Sequence, residues 1–558
     1  MADDAFPLQG TLAGGALSCL AGGHGAGAHD PKRDALIAAL LTALGGPIDR
    51  LLVLIPPVAR LARERVGARL APCLQPRGQL VLAIEPLAHS DTATAATLGD
   101  AAPEPYDAVI CLDPTWGRCA VDTLQWIHSR LRPNGILVVA GLVQVEILAN
   151  PPVEPWPVLP FLQAQARRCG FSSLVGVGSG VAGGQVSWSA GYSEPPAAAA
   201  QPDSSAPLVE LSAPGAPSLS SRCKLLPIVA QCRADQLPRW ALHPLKPAMA
   251  DAMRRLFAEV FAPNAMSAEI FAWKYSTGGG LGMTAWRQGE LVAFYGGLPR
   301  RISCQGQETQ AVQIVDVMVR GNERGILRRE GAFFLTAATF IEAYVGYGTP
   351  IPFGFGFPTE RHHQVAERMG FYLVVDKMHE LSWSCQAGPA DWGYRLIPLD
   401  AATVPGQASI IDRLWAAMRL SLPQAILGVR DARFITHRFL NHPSRRYEYY
   451  LLRRTFTRHP LALLVLATED GIWHLRDYVG DLRHLPAAIG QLRHRGAERG
   501  LKTLAVWITS GYMDWFPTVD RAERALEIVI PHNVWTPGPP AGDMRGCWWL
   551  MGGDTDFL

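Results

Sequence analysis

The chain has 558 residues, enough for about three or four domains by the prior of 100–200 residues per domain. Its content of 48% hydrophobic and 18% charged residues is typical of a protein that forms globular cores. The formal net charge of +2 gives no global attraction to nucleic acid or to an anionic membrane, so neither is expected as a partner.

The cysteines and the N-terminus indicate the compartment. The 10 cysteines are scattered without a C-x-x-C pair, which favours buried, reduced thiols over disulfides or zinc ligands. The N-terminal sequence MADDAF is acidic, no basic segment precedes an apolar core, and no apolar run is long enough to span a bilayer. We therefore expect a cytoplasmic protein with no signal peptide and no membrane segment.

Residues 34–192 alternate helical patterns with short apolar strands, after a Gly- and Ala-rich lead-in at residues 1–33 that we expect to be flexible. Such alternation favours a doubly wound, mainly parallel sheet with helices on both faces. The predicted helices are 35–44, 58–70, 121–131 and 160–169, and the predicted strands are 50–55, 79–84, 107–112, 136–140, 173–177 and 185–192.

Two segments of this region resemble the central half of SAM-dependent methyltransferases. Residues 106–113, YDAVICLD, are similar to their Y/F-D-x-V strand, and residues 124–139 are similar to the helix, the L-x-P-G-G turn and the strand that follow. The resemblance implies a Rossmann-like domain that binds SAM, with Glu85 at the ribose and Asp113 near the adenine. Where such enzymes need a glycine-rich turn after the first strand, this chain has Ile55-Pro56-Pro57-Val58. The sequence therefore favours a degenerate methyltransferase-like domain kept for packing or partner binding, with a working one as the alternative.

Residues 193–223 form the clearest linker of the chain. Proline, alanine and serine dominate this segment and no hydrophobic period is visible. Such a composition is typical of an extended tether between domains.

The stretch from Ile314 to Phe340 has the pattern of an anion site. Ile314–Val319 is a short apolar run of the kind that forms a buried strand, and from Ala332 onward apolar residues recur at helical spacing. Between them lies a turn rich in arginine and glycine. The N–H groups of a helix's first turn lack intrahelical partners and lie at the positive end of the macrodipole, so they favour a phosphate. Three arginines can bind phosphate oxygens in addition: Arg324, Arg328 and Arg329.

Within this stretch, Arg328-Arg329-Glu330-Gly331-Ala332-Phe333 resembles the R-x-x-G-x-G/A acyl-CoA-binding motif of the GNAT acetyltransferases, with Phe333 where the family prefers a small residue. Residues 352–371 resemble the next strand and helix of that family, which end in a Gly-Phe pair, here Gly370-Phe371. The earlier helices of the family resemble residues 257–261 and 271–275, and its first antiparallel strands resemble residues 283–302. We therefore predict a GNAT acyltransferase domain at residues 224–390.

From residue 391 the chain repeats the same pattern more weakly. Residues 411–418 echo 252–259, and residues 435–440 echo 270–275. The counterpart of the phosphate loop contains no R-x-x-G-x-G/A motif. We predict a second GNAT-like domain at 391–558 that lacks the phosphate loop. The predicted fold class is thus multidomain α/β and α+β, with a doubly wound methyltransferase-like Rossmann domain followed by two GNAT-fold domains.

The GNAT resemblance implies direct transfer of an acyl group from acyl-CoA, usually acetyl-CoA, to an amine. It implies that the strand leading into the loop splays from its neighbour, so that its N–H groups contact pantetheine and the thioester carbonyl. The loop and the helix start then hold the pyrophosphate. The implied cofactor-binding residues are Val317, Met318, Val319, Arg324, Gly325, Arg328, Arg329, Gly331 and Ala332.

Candidates for proton transfer remain several. The usual thiolate acid of the family is a tyrosine four residues before the Gly-Phe pair, and that position here is Ala366. Asp316 could serve as a base from the cofactor strand, and His362 and His363 titrate in the range that proton transfer needs. The C-terminal segment 553–558 is a further candidate, because the chain terminus acts as base in some tandem GNATs; a frayed end is the alternative. The sequence predicts no metal site.

We therefore predict an acyl-CoA-dependent N-acyltransferase, with acetyl as the expected acyl group, that acts on a small-molecule amine in a biosynthetic pathway. Two alternatives stay open. One is a GNAT-like decarboxylase or S-acyltransferase acting on a carrier-protein thioester; the other is a non-catalytic scaffold that binds acyl-CoA. The sequence indicates no oligomeric state.

Overall fold

A computed structural model describes the larger part of the chain. The described residues are 40–41, 43–44, 48–55, 70, 74–84, 105–112, 120–143, 158–172, 175–178, 209–210, 222–223, 227–324, 331–347, 349–386 and 391–555. The chain divides into two compact units, Met1–His243 and Pro244–Leu558.

The first unit contains a mixed sheet. Its elements are β1 (Ile48–Ile55), β2 (Leu74–Ile84), β3 (Tyr106–Leu112), α1 (Val121–Arg130), β4 (Leu131–Val143), α2 (Val158–Arg168), β5 (Val175–Gly178), β6 (Val209–Glu210), β7 (Arg222–Cys223) and β8 (Pro227–Arg233). The strand order is β2-β1-β3-β4-β8-β5, in which the first four strands are parallel and β8 is antiparallel to both of its neighbours. Buried apolar residues of β1, β3 and β4 form its centre. The predicted strand at 185–192 lies outside the described residues.

Strand β8 does not lie in the domain in which its sequence position predicts it. The predicted GNAT domain begins at residue 224, whereas β8 is hydrogen-bonded between β4 and β5 of the first unit. The short strands β6 and β7 pair with each other inside the predicted linker. An apolar run identifies a strand, but its sequence does not disclose which sheet it joins, because pairing is decided by distant residues.

The second unit contains two series of elements that follow a similar order. The first series is β9 (Ala241–Pro244, spanning the unit boundary), α3 (Ala250–Val260), α4 (Ala268–Phe271) running into a π-helical turn (Ala272–Ser276), β10 (Leu281–Arg287), β11 (Glu290–Cys304), β12 (Gln307–Val319), α5 (Ala332–Tyr344), β13 (Phe353–Gly356), α6 (Glu360–Arg368) and β14 (Tyr372–Ser384). The second series is β15 (Tyr394–Leu399), α7 (Ala408–Ser421), β16 (Ile426–Gly428), α8 (Ala432–Ile435) running into a π-helical turn (Thr436–Leu440), β17 (Glu448–Arg454), β18 (Pro460–Glu469), β19 (Ile472–Gly480), α9 (Leu485–Glu498), β20 (Thr503–Thr509), β21 (Arg521–Asn533), α10 (Ala541–Met544) and β22 (Trp548–Trp549).

Two sheets that exchange strands hold the second unit together. The first sheet runs β13-β12-β11-β10, and the second runs β15-β17-β18-β19-β20-β14-β21. Strand β14 belongs to the first series in sequence but lies between β20 and β21, antiparallel to both. In the other direction, β16 of the second series pairs with β11 of the first. The two series therefore form one interlocked unit.

Continuous apolar runs explain why the central strands are covered on both faces. Every residue of β18 from Leu461 to Ala467 is buried, and these side chains form a core with those of α7, β19 and α9. Helix α3 is amphipathic instead: Met253 and Leu256 are buried against the first sheet. Among the helices that the structure describes, none combines the length and apolar character needed to cross a membrane.

Candidate active site

A gap opens between β12 and β13. The two strands pair in parallel only from Ala311 to Ile314, although β12 continues to Val319 alongside β11. After β13 the chain turns toward β21, where Thr359 forms a bridge with Ile528. Within the described part of the chain, no strand pairs with Val315–Val319 on the β13 side. We call this opening the first gap; its β12 edge has the splayed form that the resemblance implies.

A β-bulge at Asp316 shapes the edge of the first gap. Gly296 is opposite Val315 and Phe294 is opposite Met318, so Tyr295 faces two residues of β12. Asp316 has a φ of 51°, in the left-handed region that aspartate tolerates better than most residues. Such a bulge bends the strand and re-aims its backbone and side chains.

The Asp316 side chain belongs to a buried polar cluster. Its carboxylate accepts hydrogen bonds from Lys274 Nζ at 2.9 and 3.1 Å and from the Tyr275 hydroxyl at 2.6 Å. The Lys274 and Asp316 side chains are only 6% and 5% exposed. Both partners come from the π-helical turn Ala272–Ser276, a rare geometry that is frequent at functional sites. The site thus contains a carboxylate whose position is fixed by a cation and a hydroxyl.

Sequence reasoning missed Lys274 and Tyr275. The segment 271–275 reads only as an early helix of the fold, and Asp316 reads only as one charge in an apolar strand. The available signal was the lone lysine in a mostly apolar helix and the lone aspartate in a mostly apolar strand, because buried charges require partners.

Helix α5 begins near the bulge, since the rings of Phe333 in its first turn and of Tyr295 opposite the bulge have centroids 6.3 Å apart. Its N-cap is Gly331, which has no side chain to cap the first turn, and Ala332 is buried at the first helical position. Among the described residues, no side chain caps the first-turn N–H groups of α5, so they suit a ligand or water. Helix α5 is apolar on nearly all sides and packs on the sheet through Phe340 and Ala337, which fixes the direction of its N-terminus.

The loop between β12 and α5 is described only up to Arg324. Arg320 is paired with Glu259 at 3.1 Å and with Glu290, so its charge is already compensated. Arg324 is exposed, and its Nε donates to the Val319 carbonyl at 2.8 Å, which places the guanidinium at the end of β12. The predicted pyrophosphate residues Gly325, Arg328 and Arg329 lie outside the described residues.

The predicted histidines have different surroundings. His362 is exposed at the start of α6, where its Nδ1 lies 3.0 Å from the hydroxyl of the N-cap residue Thr359. His363 is 3% exposed, and neither of its ring nitrogens has a hydrogen-bond partner among the residues that the structure describes. Glu367 is 3.9 Å from Nε2. Burial lowers the pKa of His363, and Glu367 opposes this effect more weakly. No hydrogen bond among the described residues joins either histidine to Asp316.

His363→Leu tests the role of this buried imidazole. Because an apolar side chain removes two unsatisfied nitrogens, we expect the free energy of unfolding at pH 7 to rise by about 1 kcal/mol. A lowered folded-state pKa means that the wild type loses stability as the pH falls below about 6.5, the ordinary pKa of histidine. The variant should lack this part of the loss in denaturant melts between pH 7 and pH 5. The control is His459→Leu, which changes an exposed histidine. A strong fall in kcat with intact stability would instead assign His363 to proton transfer.

The position of the family's usual acid is occupied by Ala366, which is buried on α6. The nearest tyrosine in sequence, Tyr372, follows the Gly-Phe pair, and its hydroxyl lies 2.7 Å from that of Tyr295. Burial raises the pKa of both phenols well above the ordinary range. This pair ties the β11 residue opposite the bulge to the start of β14.

The C-terminal candidate is described up to Thr555. Asp554 is buried and forms an ion pair with Arg430, at 2.5 Å between Oδ2 and Nη2. Residues 556–558 lie outside the described part of the chain. In the same part of the chain, no group of three or more His, Cys, Asp or Glu residues is arranged to hold a metal ion.

Comparison with protein families identifies the type of domain that contains the first gap. Residues 241–373 match the family model described as an acetyltransferase (GNAT) domain. Residues 241–373 are therefore a GNAT acetyltransferase domain, and the enzyme class that this match supports is an acyl-CoA-dependent acyltransferase. This match confirms the prediction of a GNAT domain, over residues 241–373, and the prediction of this enzyme class. No curated protein matches the chain.

Solved structures include similar chains of low sequence identity. A probable N-acyltransferase from Enterococcus faecalis V583 is 11% identical over 52% of this chain and 72% of that chain, with a TM-score of 0.43. A GCN5-related N-acetyltransferase from Kribbella flavida is 14% identical over 53% and 71%, with a TM-score of 0.40. N-myristoyltransferase from Saccharomyces cerevisiae with bound myristoyl-CoA is 11% identical over 53% and 79%, with a TM-score of 0.34.

Proposed function

We propose that the protein transfers an acyl group, expected to be acetyl, from acyl-CoA to the amine of a small molecule. The observation that carries this proposal is the first gap, where no described strand pairs with Val315–Val319 on the β13 side, together with the N-cap Gly331 of α5, which supplies no capping side chain. A thioester lying along this edge meets backbone N–H groups, and its diphosphate meets the helix start and Arg324.

Acyl transfer forms a C–N bond and breaks the thioester C–S bond. The attacking amine must lose a proton, and the CoA thiolate must gain one. The Asp316 carboxylate is our candidate for the base, since it lies at the bulge where the gap begins. Lys274 and Tyr275 hold that carboxylate in place, as a positioned base requires. The Val317–Val319 backbone is our candidate for polarising the thioester carbonyl.

Arg324→Ala tests the diphosphate site. The guanidinium supplies a charge-assisted hydrogen bond to a phosphate oxygen, so its removal should weaken acetyl-CoA binding about tenfold or more. Calorimetric titration measures this directly. Arg413→Ala, an exposed arginine on α7, is the matched control and should leave the dissociation constant unchanged. Equal affinities of both variants would contradict the assignment.

Assays can distinguish three candidate functions. Release of free CoA that depends on a small amine supports the proposed N-acyltransferase. Release of CO2 from a carboxyacyl thioester of a carrier protein, or transfer of the acyl group between CoA and the carrier thiol, supports the decarboxylase or S-acyltransferase alternative. Binding of acetyl-CoA without turnover of any acceptor supports a scaffold.

We also propose that the first unit is a degenerate methyltransferase-like domain and that the second unit is a tandem GNAT. The parallel order β2-β1-β3-β4 followed by antiparallel β8 supports the former, and the repeated series of elements supports the latter. Because β1 is followed by Pro56-Pro57 and not by a glycine-rich turn, we expect a titration with SAM to show no binding. Heat of SAM binding at micromolar concentrations would overturn this view.

A further inference from the structure

The second series has the same strand geometry as the first gap. Strand β19 pairs in parallel with β20 only from Ile472 to Leu475, and then continues to Gly480 alongside β18. Val465 is opposite Asp477 and Leu466 is opposite Leu475, so Arg476 is an extra residue in a β-bulge. Four paired positions, a bulge and a diverging strand thus recur. We call the opening between β19 and the end of β20 the second gap.

The second gap is filled by a later segment of the same chain. On the β20 side, Thr509 N–H donates to the Leu550 carbonyl at 3.2 Å, and Met551 forms an antiparallel bridge with Ile508. On the β19 side, Gly553 lies so close that an added Cβ would come within 2.7 Å of the Arg476 carbonyl oxygen. The segment Trp548–Thr555, here called the C-terminal segment, therefore contacts both edges of the second gap.

Two buried arginines hold the C-terminal segment in place. Arg430 is fully buried and donates to Asp477 at 2.8 Å and to Asp554 at 2.5 Å, so it joins the bulge strand to the segment. Arg438 donates to the carbonyls of Gly553 at 2.8 Å and Thr555 at 2.6 Å. Every residue from Trp548 to Thr555 is buried. These contacts make the segment part of the folded core.

We propose that the C-terminal segment is a built-in occupant of the second gap, in the place that acyl-CoA takes in the first. This inference rests on the proposed function of the first gap. It follows that each chain binds one acyl-CoA and that the second series is closed to the cofactor by the chain's own backbone. The absence of the R-x-x-G-x-G/A motif after β19 agrees with this assignment.

Hydrogen–deuterium exchange of the full chain, with and without acetyl-CoA, tests the proposal. Acetyl-CoA should slow amide exchange at residues 315–319 and leave exchange in the C-terminal segment unchanged, with one equivalent bound per chain by calorimetry. Gly553→Ala should accelerate exchange in the segment at least tenfold, because its methyl group meets the Arg476 carbonyl. Gly542→Ala is the matched control, since an added Cβ there meets nothing within 4 Å.

The outcomes separate the two proposals. Faster exchange of the C-terminal segment on adding acetyl-CoA, or two equivalents bound per chain, would overturn the built-in occupant. So would unchanged exchange in Gly553→Ala. Absence of any acetyl-CoA effect at residues 315–319 would instead count against the proposed function, while the glycine variants still test the occupant. If Gly553→Ala does not fold, Asp554→Asn takes its place, with an expected acceleration of about threefold or more from loss of the ion pair to Arg430.

Discussion

Asp316→Asn is expected to lower both activity and stability. The substitution keeps the size of the side chain and its tolerance of a positive φ, but it takes the carboxylate away from the buried Lys274 ammonium. Removing one partner of a buried ion pair costs about 3–5 kcal/mol of unfolding free energy. If the carboxylate also accepts the amine proton, kcat should fall about 10²- to 10⁴-fold. Denaturant melts and an assay of CoA release measure the two effects.

Two further variants isolate the charge at Asp316. Asp470→Asn changes another aspartate of positive φ, 50°, which is exposed, so its stability should stay within about 0.5 kcal/mol of the wild type. The double variant Lys274→Met with Asp316→Asn should recover part of the lost stability, because no buried charge is left over. Recovery of stability without recovery of activity would separate the two roles. Full activity in Asp316→Asn would exclude this carboxylate as the base.

Arg430→Met is expected to have the largest effect on stability alone. The guanidinium lies between Asp477 and Asp554, and its loss leaves two carboxylates buried without their cation. The expected cost is about 3–5 kcal/mol at pH 8. Burial already raises the pKa of Asp477 in the wild type despite Arg430. Because a raised folded-state pKa means that stability is lost as the pH rises, the deficit should be smaller at pH 5 than at pH 8.

Arg495→Met provides the matched control for Arg430→Met. Arg495 pairs with Glu498 on the surface of α9, with both side chains about half exposed (45% and 46%). Exposed pairs contribute about 0–1 kcal/mol, so a small effect without pH dependence is expected. A deficit in Arg430→Met that is equally small, or that grows toward acidic pH, would contradict the buried-cluster interpretation.

Local pattern predicted the elements around the first gap well. The apolar run Ile314–Val319 lies within β12, and the helical spacing from Ala332 gives α5, because both elements are determined by the period of their own side chains. The same holds for residues 352–358 and 362–369, which contain β13 and most of α6. Where the element is specified by neighbouring residues, the sequence was sufficient.

Contacts between residues that are distant in sequence could not be predicted from local sequence patterns. Lys274 and Asp316 are separated by 42 positions, and nothing in either local pattern specifies the other. Residues 553–558 read as a chain end with two side-chain carboxylates, yet Asp554 is buried because Arg430, 124 positions away, compensates it. The assignment of β8 to the first sheet has the same cause. Each of these contacts depends on the finished fold.

The placement of β14 has a consequence for how the protein is made. A ribosome releases β14 before β20 and β21 exist. This strand therefore lacks its native partners until they are synthesised more than one hundred residues later. Such distant pairing slows folding and leaves an apolar strand edge open to other chains in the meantime. The same connection means that cutting the gene near residue 390 separates β14 from both of its neighbours, so neither product is a natural module.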